Sequence, residues 1–349
     1  MNRESLLAKL PTSRALQRET LDGLDLSGVD FRGIAFSETS FRGTNLRGAL
    51  FDESALFKCD LTEADLTEAS LRHTTISHSE VARARAPKAR FVLTKFHQSN
   101  LDGADFSTSE TTLTTFTNSS CVGMRLGGNF VDRVTFSDTV LDKVDFSCAK
   151  VERTTFFSTD LTTADFTDIE WDRVMIFQTS LAGRSFRGRT LPMCQLIDVN
   201  LEGCDFTLAK VAKTNFKGSN LKGAKFDGAV APNALFVEAE LEGASLTKAN
   251  LHQAMFVGAK ATRTDFSGSD LEYSNWQRAI CKGSRFQTAK LAYAEFSHAD
   301  IRDADFTGAG VFRTRFHAVL DAGATFTGRS AALGDDEELV KAERFQSKY

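Results

Sequence analysis

Every fifth residue of this chain, counted from Leu21, is bulky and apolar. The series runs Leu21, Leu26, Phe31, Phe36, Phe41, Leu46, Phe51 and continues without insertion or deletion to Phe326. Of its 62 positions, 55 are Phe, Leu, Ile, Val or Trp; the exceptions are Ala86, Thr111, Cys121, Ala231, Ala261, Cys281 and Asp321. A period of five is a multiple of neither the helical 3.6 nor the strand's two, so a helix and a simple strand are both excluded. The composition follows from the frame. The chain has 30 Phe against 3 Tyr and 2 Trp, and 24 of those Phe are centres of the repeat.

The positions around each centre supply the geometry. Two residues before it the side chain is usually small, as in Ala64, Ala69, Ala104, Ala164 and the unbroken series from Ala224 to Ala259. These small residues share the interior with the centres. One residue before, Asp60, Asp65, Asp105, Asn200 and Asp305 read as exposed. Two residues after the centre lie 21 of the 24 Gly, and Pro87, Pro192 and Pro232 fall one residue after it. Pro followed by Gly marks the second and third places of a β-turn. A turn every five residues closes a square coil after about four repeats, and coils stack at about 4.8 Å, the strand spacing. About fifteen such coils make a rod on the order of 70 Å long.

The run Ala64-Asp65-Leu66-Thr67-Glu68, repeated as Ala304-Asp305-Phe306-Thr307-Gly308, resembles the pentapeptide-repeat family over residues 21–328. The resemblance implies an all-β fold, a right-handed quadrilateral parallel β-helix (β-solenoid) of about fifteen coils. From residue 96 onward Phe favours alternate centres, so two opposite walls stack Phe while Leu101, Leu141, Val151 and Leu161 fill the others. Phe96, Phe106, Phe146, Phe166, Phe206, Phe216, Phe226, Phe266 and Phe306 are the expected structural core.

Residues 1–20 read as an N-terminal cap, 21–328 as one continuous β-helix and 329–349 as a C-terminal capping helix. In that helix, Asp335-Asp336-Glu337-Glu338 precede Lys341, Arg344 and Lys348, an order that suits the macrodipole. Leu339 and Phe345 are placed to cover the last coil. Distortions are expected near 77–95, where Phe changes walls across an Ala/Arg-rich run. They are also expected near 121–131, where Met124 and Asn129 occupy small positions, and near 184–194, where Arg184 and Arg189 do so. A buried, unpaired Arg is too costly, so that last segment should open outward.

Chemistry is sparse. The Asp-Leu and Asp-Phe pairs belong to the repeat and read as structural. His78 with His97, and His298 with His317, fall on one wall in neighbouring coils; zinc needs three or four ligands and no third is evident, so no metal and no cofactor is expected. Cys59, Cys121, Cys194, Cys204 and Cys281 sit at inward positions and Cys148 at an outward one, without a C-x-x-C pair, which reads as core filling in a reducing compartment. No G-x-S-x-G, phosphate loop or H-E-x-x-H is present, so no enzyme activity and no catalytic residue is expected. No run of 18 apolar residues marks a membrane span, and the start MNRESLLAKLPTSR has no apolar signal region, so a cytoplasmic location is expected.

The outer columns point to binding. Phe157, Phe177, Ile197, Lys217, Val237 and Val257 stand twenty residues apart, an apolar strip of a kind uncommon on monomer surfaces. A second column carries Arg133, Arg153 and Arg173, each beside an acid, and further along Tyr273, Tyr293 and Arg313 next to Phe312. Tyr is a frequent interface anchor. The expected function is therefore a non-enzymatic scaffold, with Phe157, Phe177, Ile197, Val237, Val257, Tyr273, Tyr293 and Phe312 contacting a protein partner. The resemblance allows a bacterial secretion-associated adaptor or effector exported without a signal peptide, and a homodimer joined through the C-terminal helix. Its alternative is a DNA-mimicking gyrase binder that protects against quinolones. A formal net charge of −4 from 42 basic and 46 acidic residues suits neither that mimicry nor nucleic-acid binding.

Overall fold

The computed structural model describes residues 1–343. The chain forms two compact units, Met1–Ser180 and Leu181–Tyr349. Each is a β-solenoid of stacked coils whose residues pair in parallel with those twenty positions on.

The first unit opens with helix α1 (Arg3–Lys9). The Asn2 side chain caps it by accepting the Ser5 N–H at 2.9 Å, and Leu6 is fully buried beneath it. Lys9 ties its end to Glu19 at 2.7 Å. One wall of the solenoid is a parallel sheet of three-residue strands, from Ala15–Gln17 through Lys95–His97 and Thr115–Thr117 to Met175–Phe177. A second wall carries the strands Arg90–Val92, Glu110–Thr112, Phe130–Asp132, Lys150–Glu152 and Glu170–Asp172. The other sides pair through single bridges such as Asn45↔Asp65 and Ser40↔Asp60.

The corners follow from the five-residue frame. Leu24 donates to the Leu21 carbonyl at 3.2 Å, so the centre opens a β-turn and the residue two places on is its third member. That residue has positive φ at nearly every corner, Thr163 being an exception: 21 Gly adopt it, and so do 41 non-glycine residues among those described. A side chain there costs about 1–2 kcal/mol, so Gly is favoured without being required. The Asp or Asn before each centre has a job that exposure alone did not suggest. Its side-chain oxygen accepts the N–H two residues on, as in Thr67→Asp65 at 3.0 Å, Thr307→Asp305 at 2.8 Å and Glu202→Asn200 at 3.2 Å. This Asx turn satisfies an amide at the corner that the coil leaves open.

Phe rings fill the interior in ladders. In the first unit Phe96, Phe116, Phe136 and Phe156 stack with centroids 4.9, 4.9 and 5.2 Å apart and planes within 7°. In the second, Phe216, Phe236, Phe256 and Trp276 form one stack and Phe206 and Phe226 another, and the two meet edge to face. Phe96, Phe106, Phe146, Phe206, Phe216, Phe226, Phe266 and Phe306 are fully buried. Phe166 is only half-buried.

The three irregular segments differ in character. Across 77–95 the bridges Asp60↔Glu80, Asp65↔Arg85 and Ser70↔Arg90 keep the twenty-residue spacing, so no break in register accompanies the change of Phe wall. Alternation explains it: Ala82, Ala84, Ala86 and Ala89 turn inward while Arg83 and Lys88 reach Glu63 and Glu68. Near 121–131, Met124 and Asn129 are buried beside the small centres Thr111 and Cys121, and the Asn129 amide donates to the Phe106 carbonyl at 2.7 Å. Near 184–194, Arg184 and Arg189 are half-buried at a position that is otherwise mostly enclosed.

The second unit ends in a strand pair, Asp305–Phe306 with Thr325–Phe326, then a 3-10 turn at Arg329–Ala331 and helix α2 (Glu337–Glu343). Arg329 lies 4.6 Å over the Phe326 ring and pairs with Asp321 at 2.7 Å, so the one acidic centre of the frame anchors the cover of the last coil. Asp336 caps α2 by accepting the Glu338 and Leu339 amides, each at 3.1 Å. Leu339 is half-buried. Arg344, Phe345 and Lys348 lie outside the described residues.

Candidate binding surface

A solenoid turns every outward column into a ladder, because identical positions recur one coil apart. The frame thereby decides which side chains meet. Phe157 and Phe177 are in register on neighbouring strands of the first unit, the former exposed and the latter half-buried. In the second unit Ile197, Val237 and Val257 are half-buried and Lys217 is exposed. This column therefore lies flat against its wall more than it projects.

The aromatic column of the second unit projects further. Tyr273, Tyr293 and Phe312 are 50%, 44% and 55% exposed. The two Tyr rings are parallel within 2° at 5.0 Å, and Phe312 meets Tyr293 edge-on at 5.7 Å. His252 closes the other end against Tyr273 at 5.5 Å, and the Arg313 guanidinium sits 6.0 Å from the Tyr293 ring. Arg313 has no carboxylate partner among the described residues. Four rings thus form an aromatic ridge along the wall, with the Arg313 cation beside it.

The Arg column of the first unit is different in kind. Asp132, 2% exposed, receives Arg133 at 3.0 Å and Arg153 at 2.7 Å, and Arg173 pairs with Asp172 at 2.7 Å. Its charge is spent internally. Among the cysteines Cys148 is exposed and the others are buried; burial pushes the Cys59 and Cys204 thiols up to about 11, which makes them inert fillers. No helix among the described residues is long and apolar enough to cross a membrane.

Two features escaped the sequence reading. Phe57 and Phe130 are 41% and 45% exposed, beside Lys58 and Lys150; their place off the five-residue frame was the available signal. The pair His298 and His317 also gains a third group, for Glu343 of α2 lies 2.9 Å from His298 Nε2 and 3.4 Å from His317 Nε2. The sequence made no third group evident there; the structure supplies a carboxylate, from a helix remote in sequence.

A family model described as pentapeptide repeats matches residues 20–52, 194–230, 234–272 and 277–309 in eight copies. No curated protein matches the sequence. Among solved structures, full-length QnrB1, a plasmid-mediated fluoroquinolone resistance protein, is 13% identical; the match covers 66% of this chain and 100% of that one, with a TM-score of 0.25. HetL, involved in heterocyst differentiation regulation in the cyanobacterium Nostoc sp. strain PCC 7120, is 21% identical over 80% of this chain and 97% of its own, with a TM-score of 0.19. Rfr23 from the cyanobacterium Cyanothece 51142 is 18% identical over 45% and 91%, with a TM-score of 0.15.

Proposed function

The chain is a pentapeptide-repeat protein, and from that premise we propose that it is a non-enzymatic scaffold that binds a protein partner through its outer side-chain ladders. The observation that carries this reading is the exposed ridge of Tyr273, Tyr293 and Phe312 with Arg313 beside it. Large, rigid aromatic side chains lose little entropy on binding and bury much area, which is why they dominate interface energetics. The Arg313 guanidinium, without a carboxylate partner among the described residues, favours a partner segment that carries a carboxylate next to apolar residues. Phe157 with Phe177 in the first unit forms a second, flatter contact area.

Affinity capture with the full chain tests the proposal. Wild type is expected to retain a defined set of proteins that Tyr273→Asp with Tyr293→Asp loses. Identical capture by both proteins, or none by wild type, overturns it. The DNA-mimic alternative requires unopposed carboxylates along a wall. Here Arg83, Lys88, Arg125 and Arg153 instead stand against Glu63, Glu68, Asp105 and Asp132. A gyrase supercoiling assay with quinolone, in which the scaffold reading expects no protection, separates the two.

A further inference from the structure

We propose that His298, His317 and Glu343 form a zinc-type divalent-metal site that fastens helix α2 to the last coils. Two imidazoles and one carboxylate are a recurrent zinc donor set, with the fourth place left to water. The three ligand atoms lie within 4.8 Å of one another, and Glu343 bridges both rings, Oε1 to His298 Nε2 at 2.9 Å and Oε2 to His317 Nε2 at 3.4 Å. Tetrahedral zinc with bonds of about 2.0–2.1 Å holds neighbouring ligand atoms about 3.4 Å apart, so little movement is needed. His298 and Glu343 are 38% and 36% exposed, which gives the ion an entry path, and His317 is fully buried.

The proton balance can be followed at named atoms. The Asp336 N–H donates to His317 Nδ1 at 3.1 Å, so without metal the ring proton is on Nε2 and faces Glu343. Coordination removes that proton from Nε2 and places one on Nδ1, leaving the ring neutral. Asp335 Oδ1, which accepts the Ala318 amide, lies 3.7 Å from Nδ1, outside hydrogen-bond distance but near enough for its charge to favour a proton there. Coordination through Nε2 therefore gives up the hydrogen bond from the Asp336 amide to Nδ1, a loss the metal bonds must exceed. A second observation supports the role: α2 is seven residues long and buries no residue fully, so packing and propensity alone hold it weakly.

Zinc titration of the full chain by calorimetry, with cobalt as an absorption probe, tests the site in a Cys148→Ser background that removes the exposed thiol. One zinc per chain is expected, weakened about ten-fold or more by His298→Ala and by Glu343→Gln, which spare the buried His317. His252→Ala alters the other carboxylate–histidine cluster, with Asp270 and Glu272, and should leave binding unchanged. Zinc should also protect the segment around α2 from trypsin in the parent and not in Glu343→Gln. Absence of saturable binding, or binding indifferent to both His298→Ala and Glu343→Gln, overturns the proposal.

Discussion

The rings of Tyr273 and Tyr293 lie parallel within 2° and 5.0 Å apart on the outside of two neighbouring coils. Their spacing is the coil spacing, so the stack is set by the backbone. Exposed stacking contributes about 0.5–1.5 kcal/mol. Tyr293→Ala should therefore lower unfolding free energy by about 1 kcal/mol while abolishing partner capture. Chemical denaturation beside the capture assay checks both. A large loss of stability would mean that the ridge belongs to the core.

Inside the coil the opposite holds. Phe236 stacks between Phe216 and Phe256 at 5.1 and 4.9 Å and is fully buried. Phe236→Ala should cost about 3–5 kcal/mol, and Phe157→Ala on the surface less than about 1 kcal/mol. Equal losses would contradict the assignment of inward and outward positions.

Thr108 holds φ at +60° at an exposed corner. A β-branched residue is poorly suited to that conformation, so Thr108→Gly should stabilise the chain by about 1 kcal/mol or less, after the entropy of Gly in the unfolded chain is offset. Thermal unfolding measures it, and a fall in midpoint contradicts the turn assignment.

Much of this was legible in the sequence and some was not, for physical reasons. The five-residue frame is local, so it announced the coil, the turn positions and the inward Phe. The cap made by Asp65 on the Thr67 amide was read only as an exposed side chain, because a hydrogen bond needs a backbone angle that composition does not carry. The Ala/Arg run at 82–90 looked like an interruption, yet it alternates inward and outward without breaking register. His298 and His317 were recognised as neighbours through the period of twenty. Glu343 was not, since it lies on a non-repeating helix that no period places.

Lys222 and Lys260 donate to Glu240 at 2.7 and 2.9 Å and hold its carboxyl at about 2. The unfolded value is about 4.3, so the folded pKa is depressed. Its stabilisation is complete above about pH 4.3 and is lost as pH falls toward 2. An NMR titration of the Glu240 carboxyl should show a midpoint near 2. That midpoint should rise into the ordinary carboxylate range in Lys222→Met with Lys260→Met, and an unmoved midpoint contradicts the cause.

Photocrosslinking in the native cell, from a benzophenone amino acid placed at position 293, tests the binding ridge most directly. The control is the same probe at exposed position 282, about half of a twenty-residue coil away along the chain. The scaffold account predicts discrete protein adducts from 293 that Arg313→Glu removes and that 282 does not yield. No adduct from 293, or the same adducts from both positions, would contradict it.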